Sequence, residues 1–139
     1  MVNTAPTRIM NDDPRSLRVL LARASGLAEQ HAVHSVMVGL AAPEGDLLFP
    51  EFIDYLKSAL RIEDGIFCMT RERAVIHLAD VDVPTARSVI DRLIGDFQQE
   101  FPALADAVIK IRCFYVTPEA GPVSVKDVLT AVFGPTGLH

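Results

Sequence analysis

Residues 61–78 read RIEDGIFCMTRERAVIHL, and this stretch decides how the whole chain is organised. Two apolar runs rich in β-branched and aromatic residues, near 65–69 and 73–79, flank the charged tip TRE at 70–72, which is the pattern of a β-hairpin. Arg61 and Asp64, three residues apart, introduce its base. Charge is therefore concentrated at the two ends of an otherwise apolar ribbon.

Working outward, a helix is expected on each side of the hairpin. Upstream, Phe49, Phe52, Ile53, Leu56 and Leu60 recur at intervals of three and four, predicting an amphipathic helix over 50–61. Downstream, the segment at 79–82 leads to Pro84 and a helix over 83–98, with Ala86, Val89, Ile90, Leu93, Ile94 and Phe97 facing inward. Further upstream, HSVMVGLAA at 34–42 is apolar throughout, as a central strand buried on both faces must be. PEGD at 43–46 makes the turn after it. Asp13 and Pro14 supply an N-cap and a first helical residue for a helix over 14–31, carried by Leu17, Leu20, Leu21, Ala24, Leu27 and Ala28. Towards the other end, 101–107 is ambiguous between loop and one helical turn. VIKIRCFYV at 108–116 reads as a strand, 117–122 as a loop and 124–133 as a last short helix.

The order is α-β-α-β-β-α-β-α. Without its first and last helices this is βαββαβ, an α+β ferredoxin-like antiparallel sheet with the helices of 50–61 and 83–98 on one face. Residues 1–11 carry no period and are expected to be a disordered lead-in to one domain over 12–139.

Composition sets outer limits on function. The chain has 139 residues, enough for one domain that buries roughly two thirds of its unfolded surface. Its formal charge of −5 argues against general nucleic-acid binding, which needs a basic face. No apolar run approaches a membrane span and no secretory signal is evident, so a cytoplasmic protein is expected. Cys68 and Cys113 sit in strand-like apolar runs, without metal-ligand spacing, and read as small buried hydrophobes. His77, among Val75, Ile76 and Leu78, reads as a packed strand histidine.

The element order, together with the run from 61 to 93, resembles the GGDEF domain of diguanylate cyclases. In that family R-x-x-D is followed by five residues, GGDEF, an apolar strand and a helix with an E-R-I/L segment. Here Arg61 and Asp64 are followed by GIFCM, then Thr70-Arg71-Glu72-Arg73-Ala74 in place of GGDEF, and later Asp91-Arg92-Leu93, with no gap in register. The departures from the pattern imply loss of catalysis. Thr70 and Arg71 replace the paired glycines that admit substrate phosphates, and one acid of the motif becomes Arg73. Residues 34–42 lack the metal-binding Asp, the guanine-reading Asn has no counterpart in the shortened segment PEGDLLF, and GPTGLH lacks the phosphate-holding basic residues. Two-metal chemistry needs ligands for both ions. No catalytic residue, metal site or cofactor is therefore expected.

The resemblance also implies a surviving ligand site. In the family, R-x-x-D with an Arg from the following helix forms an inhibitory site for cyclic di-GMP, often bound as an intercalated dimer. Arg61, Asp64 and Arg92 stand at those positions. A guanidinium can grip a guanine edge or a phosphate with two parallel hydrogen bonds, and an adjacent Asp can fix its rotamer. The alternative for the same residues is structural, with Arg61 at a helix end and Asp64 pairing with it. Arg71, Glu72 and Arg73 at the tip are either a solvated turn or a protein-docking surface. Together these features suggest a catalytically inactive bacterial GGDEF-like signalling domain that receives cyclic di-GMP and acts on a protein partner. The alternative is a nucleotide-independent interaction scaffold of the same fold, working through its surface as a homodimer or with another protein.

Overall fold

The computed structural model describes residues 12–103, 109–121 and 123–134. The elements are α1 (Pro14–His31), β1 (Ser35–Ala41), α2 (Phe49–Ala59), β2 (Gly65–Thr70), β3 (Arg73–Ala79), α3 (Val83–Glu100), β4 (Lys110–Val116) and α4 (Val125–Phe133), with a 3-10 turn at Pro118–Ala120 inside the expected loop. The expected lead-in at 1–11 and most of the ambiguous segment at 101–107 lie outside the described residues.

The strands form one antiparallel sheet in the order β2-β3-β1-β4. This is the α+β, ferredoxin-like arrangement, with a helix added at each end of the βαββαβ unit. β1 sits between β3 and β4, which is why its sequence is apolar at every position from Val36 to Ala41. Alternation along the strand sends Val36, Val38 and Leu40 to one face and Met37 to the other.

The two faces carry separate cores. On the first, Val36, Val38, Leu40, Ala74, Ile76 and Leu78 meet Phe52, Ile53 and Leu56 of α2 and Ala86, Ile90, Leu93 and Phe97 of α3. The helices of 50–61 and 83–98 thus share one face, as their stripes require. On the second, Met37, Phe67, Val75 and Val116 meet Leu17, Leu20, Leu21, Ala24 and Ala28 of α1 and Val128 and Val132 of α4. Each large apolar side chain so buried contributes roughly 1.5–3 kcal/mol before entropy is subtracted.

Local chemistry fixes the ends. Asp13 accepts the Arg15 N–H at 2.9 Å, Asp82 accepts that of Thr85 at 2.9 Å, and Ser124 accepts that of Asp127 at 3.0 Å, capping α1, α3 and α4. In the β2–β3 hairpin Thr70 pairs with Arg73, leaving Arg71 and Glu72 as a two-residue turn. Neither has positive φ, so the turn is not of the primed types that match strand twist. A register shift between Cys68 and Thr70 absorbs the mismatch.

Candidate functional site

The turn between α2 and β2 builds the site. α2 ends at Ala59, and Leu60 turns extended at φ −75° and ψ 153°. Arg61 therefore lies two residues past the helix, not at its last position as the periodicity of 50–61 suggested. Asp64 accounts for this early ending. Its Oδ2 accepts the Arg61 backbone N–H at 3.2 Å and the Arg61 Nε–H at 3.0 Å. Its Oδ1 accepts from Arg61 Nη2 at 2.8 Å and from the Ala79 N–H at 3.0 Å.

Arg61 Nη2 also donates to the Ala79 carbonyl at 2.6 Å. The Asp64 side chain is only 2% exposed, whereas that of Arg61 is 47% exposed. A buried carboxylate is thus satisfied by a two-pronged guanidinium and two backbone amides, and the pair ties the turn to the end of β3. The hydrogen bond to Asp64 also holds the Arg61 proton more tightly than usual. Arg61 Nη1 lies 3.7 Å from the Glu63 carboxylate, and the half-exposed side chain keeps its outer edge towards solvent.

Arg92 arrives from the middle of α3. Arg61, Asp64 and Arg92 line one cleft of about 230 Å³, whose remaining lining is largely apolar: Leu60, Leu78, Val81, Val89 and Leu93, with Thr85 at the start of the same helix. Arg92 is exposed and makes no hydrogen bond or ion pair among the described residues. Two arginines thus line the cleft, one with its guanidinium locked in place and one without a hydrogen bond or ion pair among the described residues. Burial of an anionic or purine-edge group between them is what such an arrangement favours.

The tip is a separate region. Arg73 and Ala79 are six residue steps apart along β3, or about 20 Å of strand. Glu72 Oε2 accepts the Gly45 N–H at 3.1 Å, the Glu72 carbonyl accepts the Ala42 N–H at 2.8 Å, and the Arg73 guanidinium lies over the Phe133 ring at 5.2 Å. Two of the three tip residues thus hold neighbouring elements. Arg71 is exposed and without such a partner among the described residues.

Sequence reasoning missed three contributors. Thr85 and Val89 lie seven and three residues before Arg92 on α3, so helical spacing from Arg92 could have found them. Arg23 of α1 donates to the Glu63 carbonyl at 2.7 Å, gripping the middle of the 61–64 turn from 40 residues away. No local pattern announces such a contact.

Solved structures share this architecture. A microbial GGDEF domain, described in a novel interaction mode with bis-(3′,5′)-cyclic di-GMP, matches with a TM-score of 0.66 at 10% identity, over 86% of this chain and 80% of its own. A DGC protein from Thermotoga maritima matches at 0.61 and 12% identity, over 85% of this chain and 92% of its own. No protein-family model and no curated protein matches the chain. At these identities the likeness is one of fold: the chain has the α+β architecture of GGDEF domains. Among the described residues, no helix is long and apolar enough to cross a membrane.

Proposed function

We propose that the chain is a catalytically inactive GGDEF-like signalling domain that binds cyclic di-GMP in the Arg61–Asp64–Arg92 cleft and passes ligand state to a protein partner. The observation that carries this reading is Arg92, exposed and unengaged beside an Arg61 whose orientation Asp64 already fixes. Preorganised guanidinium groups lose little freedom on binding. In this reading Asp64 acts chiefly through Arg61, because both its oxygens already accept hydrogen bonds. A cleft of about 230 Å³ suits one guanine or phosphate group, with the rest of the dinucleotide lying across the surface.

Two features of the residues present support the loss of catalysis in this reading. β1 carries no carboxylate, and the remaining tip acid, Glu72, is bonded to the Gly45 amide.

A second reading, the nucleotide-independent scaffold, draws on the same network: Arg61 and Asp64 have a sufficient structural reason to be where they are. Calorimetric titration with cyclic di-GMP separates the two readings. Saturable binding supports the receptor, and no heat at ligand concentrations up to about a millimolar supports the scaffold.

A further inference from the structure

Two polar side chains lie sealed on the α1 side of the sheet without hydrogen-bond partners among the described residues. His77 on β3 and Ser35 on β1 are both 0% exposed, and neither the two ring nitrogens of His77 nor the Ser35 hydroxyl has a hydrogen-bond partner among the described residues. Their parity puts them on the α1 side of the sheet: His77 follows Val75 by two, and Ser35 precedes Met37 by two. Met37 is the β1 residue opposite His77, so Ser35 is its diagonal neighbour. Gly65 is opposite His77 on β2, and a Cβ there would come within 2.5 Å of Leu20 Cδ1, so α1 lies flush over this spot. Buried groups of this kind are nearly always paired, and a seam with three unpaired atoms calls for an explanation.

The helix that covers the seam also grips the candidate site. Arg23, one helical turn beyond Leu20, donates to the Glu63 carbonyl at 2.7 Å and reaches that of Ile62 at 3.5 Å. These are the two central residues of the turn carrying Arg61 and Asp64. The charged groups that bear on His77 are Arg23 from α1 and Arg61 and Asp64 from that turn, while β1 contributes the neutral Ser35. Two of the three charges are positive, and neither oxygen of Asp64 is spare.

We infer that α1 is a proton-releasable brace on the site: protonation of His77 lifts α1 from the sheet, and Arg23, the residue that positions the 61–64 turn, is withdrawn with it. A cation formed in this seam has no hydrogen-bond acceptor among the described residues, and the charge of Arg23 opposes it. β3 cannot move to relieve it, because β2 and β1 pair with it on both sides, whereas α1 is the outer layer on that face. Lifting α1 returns the imidazole and the Ser35 hydroxyl to water. Burial above all, and then Arg23, push the His77 pKa down to about 4 from 6.5. If the imidazole is restored to its ordinary value when α1 lifts, lowering the pH from 7.5 to 5.5 raises the open fraction about tenfold. The consequence for ligand rests on the reading of the cleft given above; the release of α1 does not.

Amide hydrogen exchange on the full chain, with imidazole resonances followed by NMR, tests the inference at pH 7.5 and at pH 5.5, which is above the pI of about 5.2. The expected result is that amides of α1 exchange through an opening that leaves β1 and β3 protected. That opening should grow about tenfold at the lower pH, and the amides of 61–64 should loosen with it. His77→Leu should abolish the pH response of α1. Arg23→Ala should loosen 61–64 at either pH, and Arg23→Lys, which keeps a donor, should restore part of the protection.

Exchange of α1 and the strands together, an α1 opening unchanged by pH, or a His77 that titrates near 6.5 in the closed protein overturns the inference. The NMR titration uses the unaltered chain and decides the matter even if His77→Leu does not fold. Cyclic di-GMP is the second arm: where it binds, its affinity should fall at pH 5.5 in proportion to the fraction of chain that exchange shows open, in the unaltered chain and not in His77→Leu. Absence of binding at both pH values counts against the receptor reading, and the exchange result still decides the brace.

Discussion

Glu72 fastens the turn between β1 and α2 by holding Gly45, its Oε2 accepting the Gly45 N–H at 3.1 Å while its own carbonyl accepts the Ala42 N–H at 2.8 Å. The carboxylate retained at the tip is thereby occupied with the fold. The purified protein should make no cyclic dinucleotide from GTP with magnesium or manganese. Glu72→Ala should cost about 1 kcal/mol of stability, the ordinary net worth of a partly exposed hydrogen bond. Product formation that vanished in Glu72→Gln would show that Glu72 serves a metal site after all.

Removing either half of the Arg61–Asp64 pair should have unequal effects. Arg61→Ala leaves a carboxylate that is only 2% exposed with two backbone donors and no counter-charge, which should cost about 3 kcal/mol. Asp64→Ala strands the Ala79 amide but lets the half-exposed Arg61 turn to water, so about 2 kcal/mol is expected. Denaturant midpoints check the order, and a larger loss from Asp64→Ala would mean that the backbone amides, not the guanidinium, dominate the site.

Two glycines make a similar comparison on the opposite face. A Cβ at Gly39 would sit 2.5 Å from Val132 Cβ and 2.7 Å from its Cγ2, against a side chain branched at Cβ and stiff at χ1. At Gly65 the obstacle is Leu20 Cδ1, the far end of a flexible side chain, also at 2.5 Å. Gly39→Ala should therefore cost about 1–3 kcal/mol and loosen α4, with Gly65→Ala costing less. Equal thermal shifts would imply that α4 is free to slide.

Acid should weaken the whole fold through His77. Its folded pKa of about 4 lies below the ordinary 6.5, so below pH 6.5 the unfolded chain binds more protons than the folded one. Stability is then full above pH 6.5, falls as pH drops towards 4 and levels off below, by on the order of 3 kcal/mol in all. His77→Leu should flatten that part of the pH profile of urea unfolding. An unaltered slope would assign the acid sensitivity to carboxylates.

What the sequence made legible follows from what is local. The apolar run of β1 from Val36 onwards required cover on both faces, and the hairpin announced itself by two β-rich runs around a charged tip. The helix stripes showed which side of each helix is buried, but a stripe does not say against which face. The places of α1 and α4, opposite α2 and α3, therefore came only from the structure. Arg61 and Asp64 were visible because they are three residues apart. Their partner Ala79 and the brace from Arg23 were not, since those bonds span 15–18 and 40 residues and leave no periodic trace. The buried His77 was legible as packed, whereas the lack of a partner for its nitrogens among the described residues was not.

The decisive binding variant is Arg92→Ala rather than Arg61→Ala. Arg61 holds the fold together, so losing it confuses binding with stability, whereas Arg92 is exposed and has no hydrogen bond or ion pair to lose among the described residues. Cyclic di-GMP should bind the unaltered protein with a Kd in the micromolar range or tighter, about −8 kcal/mol. Arg92→Ala should weaken this by about 2 kcal/mol, or roughly thirtyfold, with an unchanged melting temperature. Arg92→Lys should recover only part, because an ammonium cannot make the two parallel bonds of a guanidinium. Arg71→Ala, about 20 Å away at the tip, should leave nucleotide affinity alone, and any effect it has should appear on a protein partner. Equal losses from Arg92→Ala and Arg71→Ala would move the ligand to the tip. Binding untouched by Arg92→Ala would remove α3 from the site and leave Arg61 and Asp64 as a structural pair.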